Sequence, residues 1–397
     1  MTSPLPPAGP VAVAGPAAAI CRPRPAADLL VPVAGDAVPT IGVEEEFLLL
    51  WPDGGTATVA PDVIAAVAPE IRAAAEFSRC QVESSTGICR DLSSVGVDLS
   101  VARRALAQAA ADRGARLVPV GAPPVDEPGA ADLTDDDRYR RLLTTVPGVT
   151  GEEITCAGQV HVAVPSRDVG VAVLGRLRPW LPLLLALTGN SPVRRGRDTG
   201  WSSTRFLVQR RWPSFLPPPR CAGAAEYDAG VDRLMSCRAA LDERGVYYWA
   251  RLSPRYPTVE VRIADVGLTV GEAVLLAGLC RAAVMTALAD ELAGRPLPDV
   301  PERVLLAAGY AAARRGLGAV VLDPAHGGWA PARALLPAWL DVLGPALEAA
   351  GDRSLVETLL AAQLCRGPGS DRQRALLRRG RRGFVQALAN LGAGIDA

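Results

Sequence analysis

Hydrophobic and polar residues follow two periods along this chain. Four stretches alternate with a period of two, which sets successive side chains on opposite faces of a strand. In residues 40–50, Glu44 and Glu46 point one way; Val43, Phe47 and Leu49 point the other, toward a core, and Glu45 shares their face. In residues 77–86, Arg79, Gln81 and Glu83 share a face. Residues 153–164 set Gln159 and His161 against Val160, Val162 and Val164, and residues 256–265 set Thr258, Glu260 and Arg262 against Val259, Val261 and Ile263. The second period is helical. It predicts a short helix at 61–68 and longer ones at 98–113, 171–188, 271–293, 302–315, 331–350, 354–363 and 371–379. A short strand is expected at 117–120, a turn at 51–55 and a surface loop at 123–137. Residues 1–38 show neither period and read as a disordered Pro/Ala-rich extension or a misassigned start.

Adjacent carboxylates on one strand face repel, and a half-buried carboxylate is costly unless paired. A solvated edge strand would remove the difficulty, and so would a hard divalent cation, which prefers carboxylate oxygens. Similarly, a lone histidine among valines reads either as a satisfied core residue or as a ligand. Set side by side in one sheet, the four polar faces collect four carboxylates, one imidazole and two guanidiniums, with helices packed on the other face in a layered α+β domain. Oxygen donors with one imidazole suit Mg²⁺ or Mn²⁺ better than zinc.

Composition narrows the chemistry. The 397 residues are 49% hydrophobic with a formal net charge of zero, which gives ample core and no global field to recruit nucleic acid or an anionic membrane. All 42 basic residues are arginine, so no phosphate-loop or Schiff-base lysine exists, and phosphate must be handled by arginine, backbone amides and metal. Two histidines and eight cysteines form no C-x-x-C or H-x-x-x-H pattern, so a zinc site is not expected. The Ala/Val-rich start has no basic n-region, so no secretion signal is expected, and no uninterrupted apolar run reaches the ~18 residues of a membrane span, which predicts a cytoplasmic protein. An Arg/Gly/Ser-rich segment, residues 194–205, reads either as an exposed loop or as a lid that presents guanidinium groups to phosphate.

Several short runs in order, Gly42-Val43-Glu44-Glu45-Glu46-Phe47, Gln81-Val82-Glu83, Val160-His161-Val162, Gly189-Asn190-Ser191-Pro192, Arg195-Gly196-Arg197-Asp198 and Pro257-Thr258-Val259-Glu260-Val261-Arg262, resemble the signatures of the glutamate–cysteine ligase type 2 family, bacterial carboxylate–amine ligases of the glutamine-synthetase-like superfamily. The resemblance implies one catalytic domain over 39–397. Its expected fold is α+β: an open, curved, mainly antiparallel sheet with helices on its convex face and ATP with Mg²⁺ on its concave face. By the same resemblance Glu44, Glu46, Glu83, His161 and Glu260 would be metal ligands, and Arg262, Arg197 and Arg205 would steady phosphates or a substrate carboxylate, with Asn190 also at the nucleotide. The family often has histidine at Gln159, so that residue either contacts substrate or fills space. The implied reaction activates the γ-carboxylate of glutamate as an acyl phosphate, which an amine, nominally cysteine, then attacks. Another amine or carboxylate, a non-catalytic ATP-binding regulator and a guanidino-kinase-like phosphotransfer are the competing readings. The implied partners are small amino acid substrates, with no nucleic acid and no membrane; a homo-oligomer is left open.

Overall fold

A computed structural model describes residues 38–125, 132–146, 154–380 and 383–394. The architecture is built on strand β1, Ile41–Leu50, whose apolar and β-branched residues flank three consecutive glutamates. Around it lie β2 (Ala73–Ala75), β3 (Gln81–Ser85), β4 (Arg116–Val118) and β5 (Gly158–Ala163). A two-residue hairpin, β6 (Val193–Arg194) and β7 (Arg197–Asp198), stands apart, and β8 (Ala250–Leu252) and β9 (Thr258–Val261) complete the main sheet. That sheet is open, with strand order β2-β3-β1-β5-β9-β8 and β4 beside the far end of β1. Every pairing in it is antiparallel.

The strand register decides which side chains meet. Glu46 stands opposite Glu83, Glu44 opposite Gln159, and His161 opposite Glu260. Gly42 faces His161 from the other side, so no side chain crowds the imidazole there. On the reverse face Val43, Val160, Val162, Val259 and Val261 join one large apolar cluster with helix Val270–Leu292 and helix Arg167–Leu177. Phe47 and Leu49 belong to a second cluster with helix Leu92–Ala111 and helix Phe384–Ala393. Leu48 and Leu50 share the polar face of β1 but are fully buried in that second cluster, beside Val63 of helix Ala60–Ala66, so the polar face of β1 ends at Glu46.

Several sequence expectations shift at their edges. The helix expected at 98–113 starts earlier, where Asp91 caps it by accepting from the Ser94 N–H at 2.7 Å. The buried helix expected at 171–188 is two helices, Arg167–Leu177 and Leu181–Thr188, joined by a tight turn containing Pro179, with Pro182 in the first turn of the second. The strand expected from residue 77 begins at Gln81, leaving Arg79 exposed in a turn and off the polar face. Helices Asp137–Thr145, Thr204–Gln209, Ala224–Ser236 and Phe384–Ala393 were not foreseen. Residues 167–188 and helix Val270–Leu292 are apolar and long enough to cross a membrane, and both are largely buried in the core. The expected tail lies, but for Val38, outside the described residues.

Candidate active site

The polar face of the sheet floors a cavity of about 220 Å³. Glu44, Glu46, Glu83, His161 and Glu260 all line it, together with Gln159, Arg205, Arg251 and Arg262. Two acidic groups emerge. Ligand atoms of Glu44, His161 and Glu260 lie within 4.8 Å of one another, and so do those of Glu46, Glu76 and Glu83.

Each group carries a visible electrostatic tension. Burial, reinforced by Glu76, pushes the Glu46 carboxyl up to about 7, against the pull of Arg205, the Ala157 N–H and Arg262. Burial likewise lifts Glu83 well above the usual carboxylate range, with Glu76, Glu44 and Glu46 adding to it. Glu260 goes the other way: its burial is outweighed by Arg262 and Arg251, which hold it ionised. Arg251 forks it, Nε donating to Oε2 at 2.8 Å and Nη2 to Oε1 at 3.2 Å, while Arg262 Nη1 also donates to Oε1. His161 is buried, which disfavours its charge, yet Glu260 and Glu44 hold it above its ordinary value.

His161 supplies the test of whether a cation fits. Its Nδ1 lies 2.9 Å from Thr258 Oγ1, and its buried Nε2 has no hydrogen-bond partner among the described residues. That Nε2 points at acidic company, 3.4 Å from Glu44 Oε1. With the ring hydrogen on Nδ1, donated to Thr258, the Nε2 lone pair faces carboxylate oxygens, an arrangement that a divalent cation resolves. The donor set of carboxylate oxygens with one imidazole matches a hard cation, not a thiolate-type zinc site. The residues therefore fit Mg²⁺ or Mn²⁺.

Arg205 is buried behind this floor. Its Nη1 donates to the Ile263 carbonyl and its Nη2 to the Arg262 carbonyl, both at 3.0 Å, and its buried Nε has no hydrogen-bond partner among the described residues. Asp265 lies 3.8 Å from Arg205 Nη1 and accepts hydrogen bonds from Ser191 Oγ at 2.7 Å, Ser203 Oγ at 2.8 Å and the Asn190 N–H at 2.8 Å. Arg262 lies over the Tyr247 ring, 5.9 Å from its centre. Phe77, Tyr139, Trp212 and Tyr256 add further aromatic lining.

Residues 40–390 match the glutamate–cysteine ligase family 2. The chain belongs to that family. A protein of Nocardia farcinica provisionally named glutamate–cysteine ligase 2-1 is 46% identical over 337 residues, covering 84% of this chain and 88% of its own length. A similarly named protein of Saccharopolyspora erythraea is 42% identical over 342 residues, covering 86% of this chain and 91% of its own. Among solved structures, the glutamate–cysteine ligase of Francisella tularensis in complex with AMP superposes with a TM-score of 0.66 at 14% identity, covering 90% of this chain and 91% of that one. A bifunctional glutathione synthetase of Pasteurella multocida gives 0.62 at 14% identity, over 90% of this chain and 52% of that one. At such identities the likeness is one of fold.

Two family-derived site residues do not reach the cavity. Asn190 is buried elsewhere: its Nδ2 donates to the carbonyls of Pro119 and Val266 at 2.8 Å, and its Oδ1 accepts from Gln373 Nε2 at 2.7 Å. Both Nδ2 hydrogens of Asn190 are thus used inside the core, and its backbone N–H meets Asp265. Arg197 is exposed on β7 and is not among the cavity-lining residues. The sequence reading also missed Glu76 and Arg251. Glu76 follows a run of alanines with no alternation to reveal a face. Arg251 could have been found from the hairpin pairing that sets it opposite Glu260.

Proposed function

We propose that the protein is an ATP-dependent carboxylate–amine ligase that joins glutamate, activated at its γ-carboxylate, to an amine, nominally cysteine. Membership of the family supports the reaction class, and the names of the relatives support the substrates. The observation that carries the reading is the convergence of Glu44, His161 and Glu260, and of Glu46, Glu76 and Glu83, on one sheet face beside Arg205 and Arg262.

In this reading the two acidic groups hold Mg²⁺ or Mn²⁺, which when bound supplies positive charge against the transferring phosphoryl oxygens. Arg262 offers a planar guanidinium to phosphate or to the substrate carboxylate, with Tyr247 under it. Arg205 adds fixed positive charge from below, held in place by the carbonyls of Ile263 and Arg262. The carboxylate of glutamate takes the γ-phosphoryl group of ATP, ADP departs, and the amine then displaces phosphate to leave the amide. No protein nucleophile is needed; the cavity's residues bind and orient. A cytoplasmic setting is supported by the seven described cysteines, all of which are free thiols.

Purified protein supplied with ATP, Mg²⁺ and glutamate, and tested against a panel beginning with cysteine and extending to other amino acids and amino sugars, should release ADP and phosphate in step with a γ-glutamyl amide seen by mass spectrometry. ATP binding without phosphate release under every acceptor would contradict the ligase reading and favour a regulatory one. A phosphorylated product with no amine consumed would favour simple phosphotransfer.

A further inference from the structure

Gln159 lies at the centre of the acidic face, 2% exposed, and both ends of its amide are engaged. A guanidinium only donates and an ionised carboxylate only accepts, so the amide has one sensible orientation. Its Nε2 donates to Glu46 Oε1 at 2.8 Å, and its Oε1 accepts from Arg262 Nη1. The other Glu46 oxygen, Oε2, accepts from the Ala157 N–H at 2.7 Å, so the segment leading into and along β5 supplies both bonds that orient this carboxyl. Arg262 Nη1 also reaches Glu260. The line Glu46–Gln159–Arg262–Glu260 thus runs unbroken from one acidic group to the other.

We propose that Gln159 is a positioning residue, a neutral adapter that aims Glu46 at one end and Arg262 at the other while itself touching neither cation nor substrate. This rests on the cation–nucleotide reading of the cavity. A direct Glu46–Arg262 ion pair would spend the charge of both. The amide holds both groups in register and leaves the Glu46 carboxylate available to a cation, while Arg262 pairs with Glu260 through the same Nη1 that meets the amide. Loss of such an outer hydrogen-bonding partner typically weakens metal affinity or activity by about 10–100-fold.

The test uses the full chain and Mn²⁺ alone as probe, titrated by calorimetry without nucleotide, followed by turnover at saturating Mn²⁺. Gln159→Leu keeps the bulk and removes both hydrogen bonds; it should raise the Mn²⁺ dissociation constant and lower kcat, each by about 10–100-fold. Gln159→His offers one N–H and one lone pair when neutral, and should recover much of that loss. If Gln159→Leu does not fold by circular dichroism, Gln159→Asn decides: the same amide, one methylene shorter, cannot span both partners and should show the same weakening. A folded Gln159→Leu, or failing it Gln159→Asn, that binds Mn²⁺ and turns over like the unmodified protein, with only a lower melting temperature, overturns the proposal and leaves the cavity reading intact. Absence of Mn²⁺ binding by the unmodified protein overturns both.

Discussion

Glu46 faces opposing demands. Burial and Glu76 push its carboxyl toward the neutral form, while the Ala157 N–H and Gln159 hold it as an oriented acceptor. In the proposed function a cation shared with Glu76 and Glu83 would reconcile the two. Glu46→Gln preserves the shape and one acceptor but loses the charge, so turnover should fall by about 100-fold or more, the order associated with losing one preorganised electrostatic partner. The melting temperature should move by only a few degrees; full activity in this variant would remove Glu46 from the site. Arg262→Lys keeps a charge, but an ammonium placed to serve Gln159 and Glu260, as Nη1 does, has no planar fork to offer a phosphate or carboxylate. It should lose about 10-fold or more in kcat, the worth of a charge-assisted hydrogen bond. Strand alternation set Glu44, Glu46, Glu83, His161, Glu260 and Arg262 on polar faces, because a period of two assigns faces directly, and the family resemblance supplied their expected roles. It assigned Arg79 wrongly, since the chain turns before Gln81 and breaks the alternation there.

At the scale of elements, β1 carries charge on both faces for different reasons. Glu45 points away from the cavity into the core, where Arg103 of helix Leu92–Ala111 meets it, Nε donating to Oε2 at 2.9 Å. Arg103 also donates to the carbonyls of Gly267 at 2.8 Å and of Leu268 and Gly392 at 3.3 Å, tying helix, sheet, loop and C-terminal helix together. Breaking a buried pair by removing one partner typically costs about 3–5 kcal/mol. Arg103→Met should therefore lower stability by that order in urea unfolding, and Glu45→Gln added to it should restore a substantial part. Turnover per folded molecule should change little, because neither residue lines the cavity. The sequence placed Glu45 on the core face but could not name its partner, 58 residues away. Pairing across such distances is set by packing, which local periodicity does not report.

For the molecule as a whole, the layered α+β arrangement was legible because the apolar faces of four strands and the long helices have no other way to be buried together. What stayed hidden was where helices break and which short elements close the cavity. Proline decided the first, between Leu177 and Leu181. Helix Asp137–Thr145 shows the second: Tyr139 reaches Glu76 at 3.3 Å, and Arg138 pairs with Asp242 at 2.7 Å. The family match begins at residue 40, so a protein lacking residues 1–37 should melt and turn over as the full chain does, measured side by side; a large loss would give that segment a role. In the proposed function the acidic sheet face binds divalent cations for a nucleotide. Anomalous diffraction from crystals grown with Mn²⁺ and ADP tests it most directly. Manganese peaks are expected among Glu44, His161 and Glu260 and among Glu46, Glu76 and Glu83; a cavity with ADP bound and no manganese at either group would contradict the account.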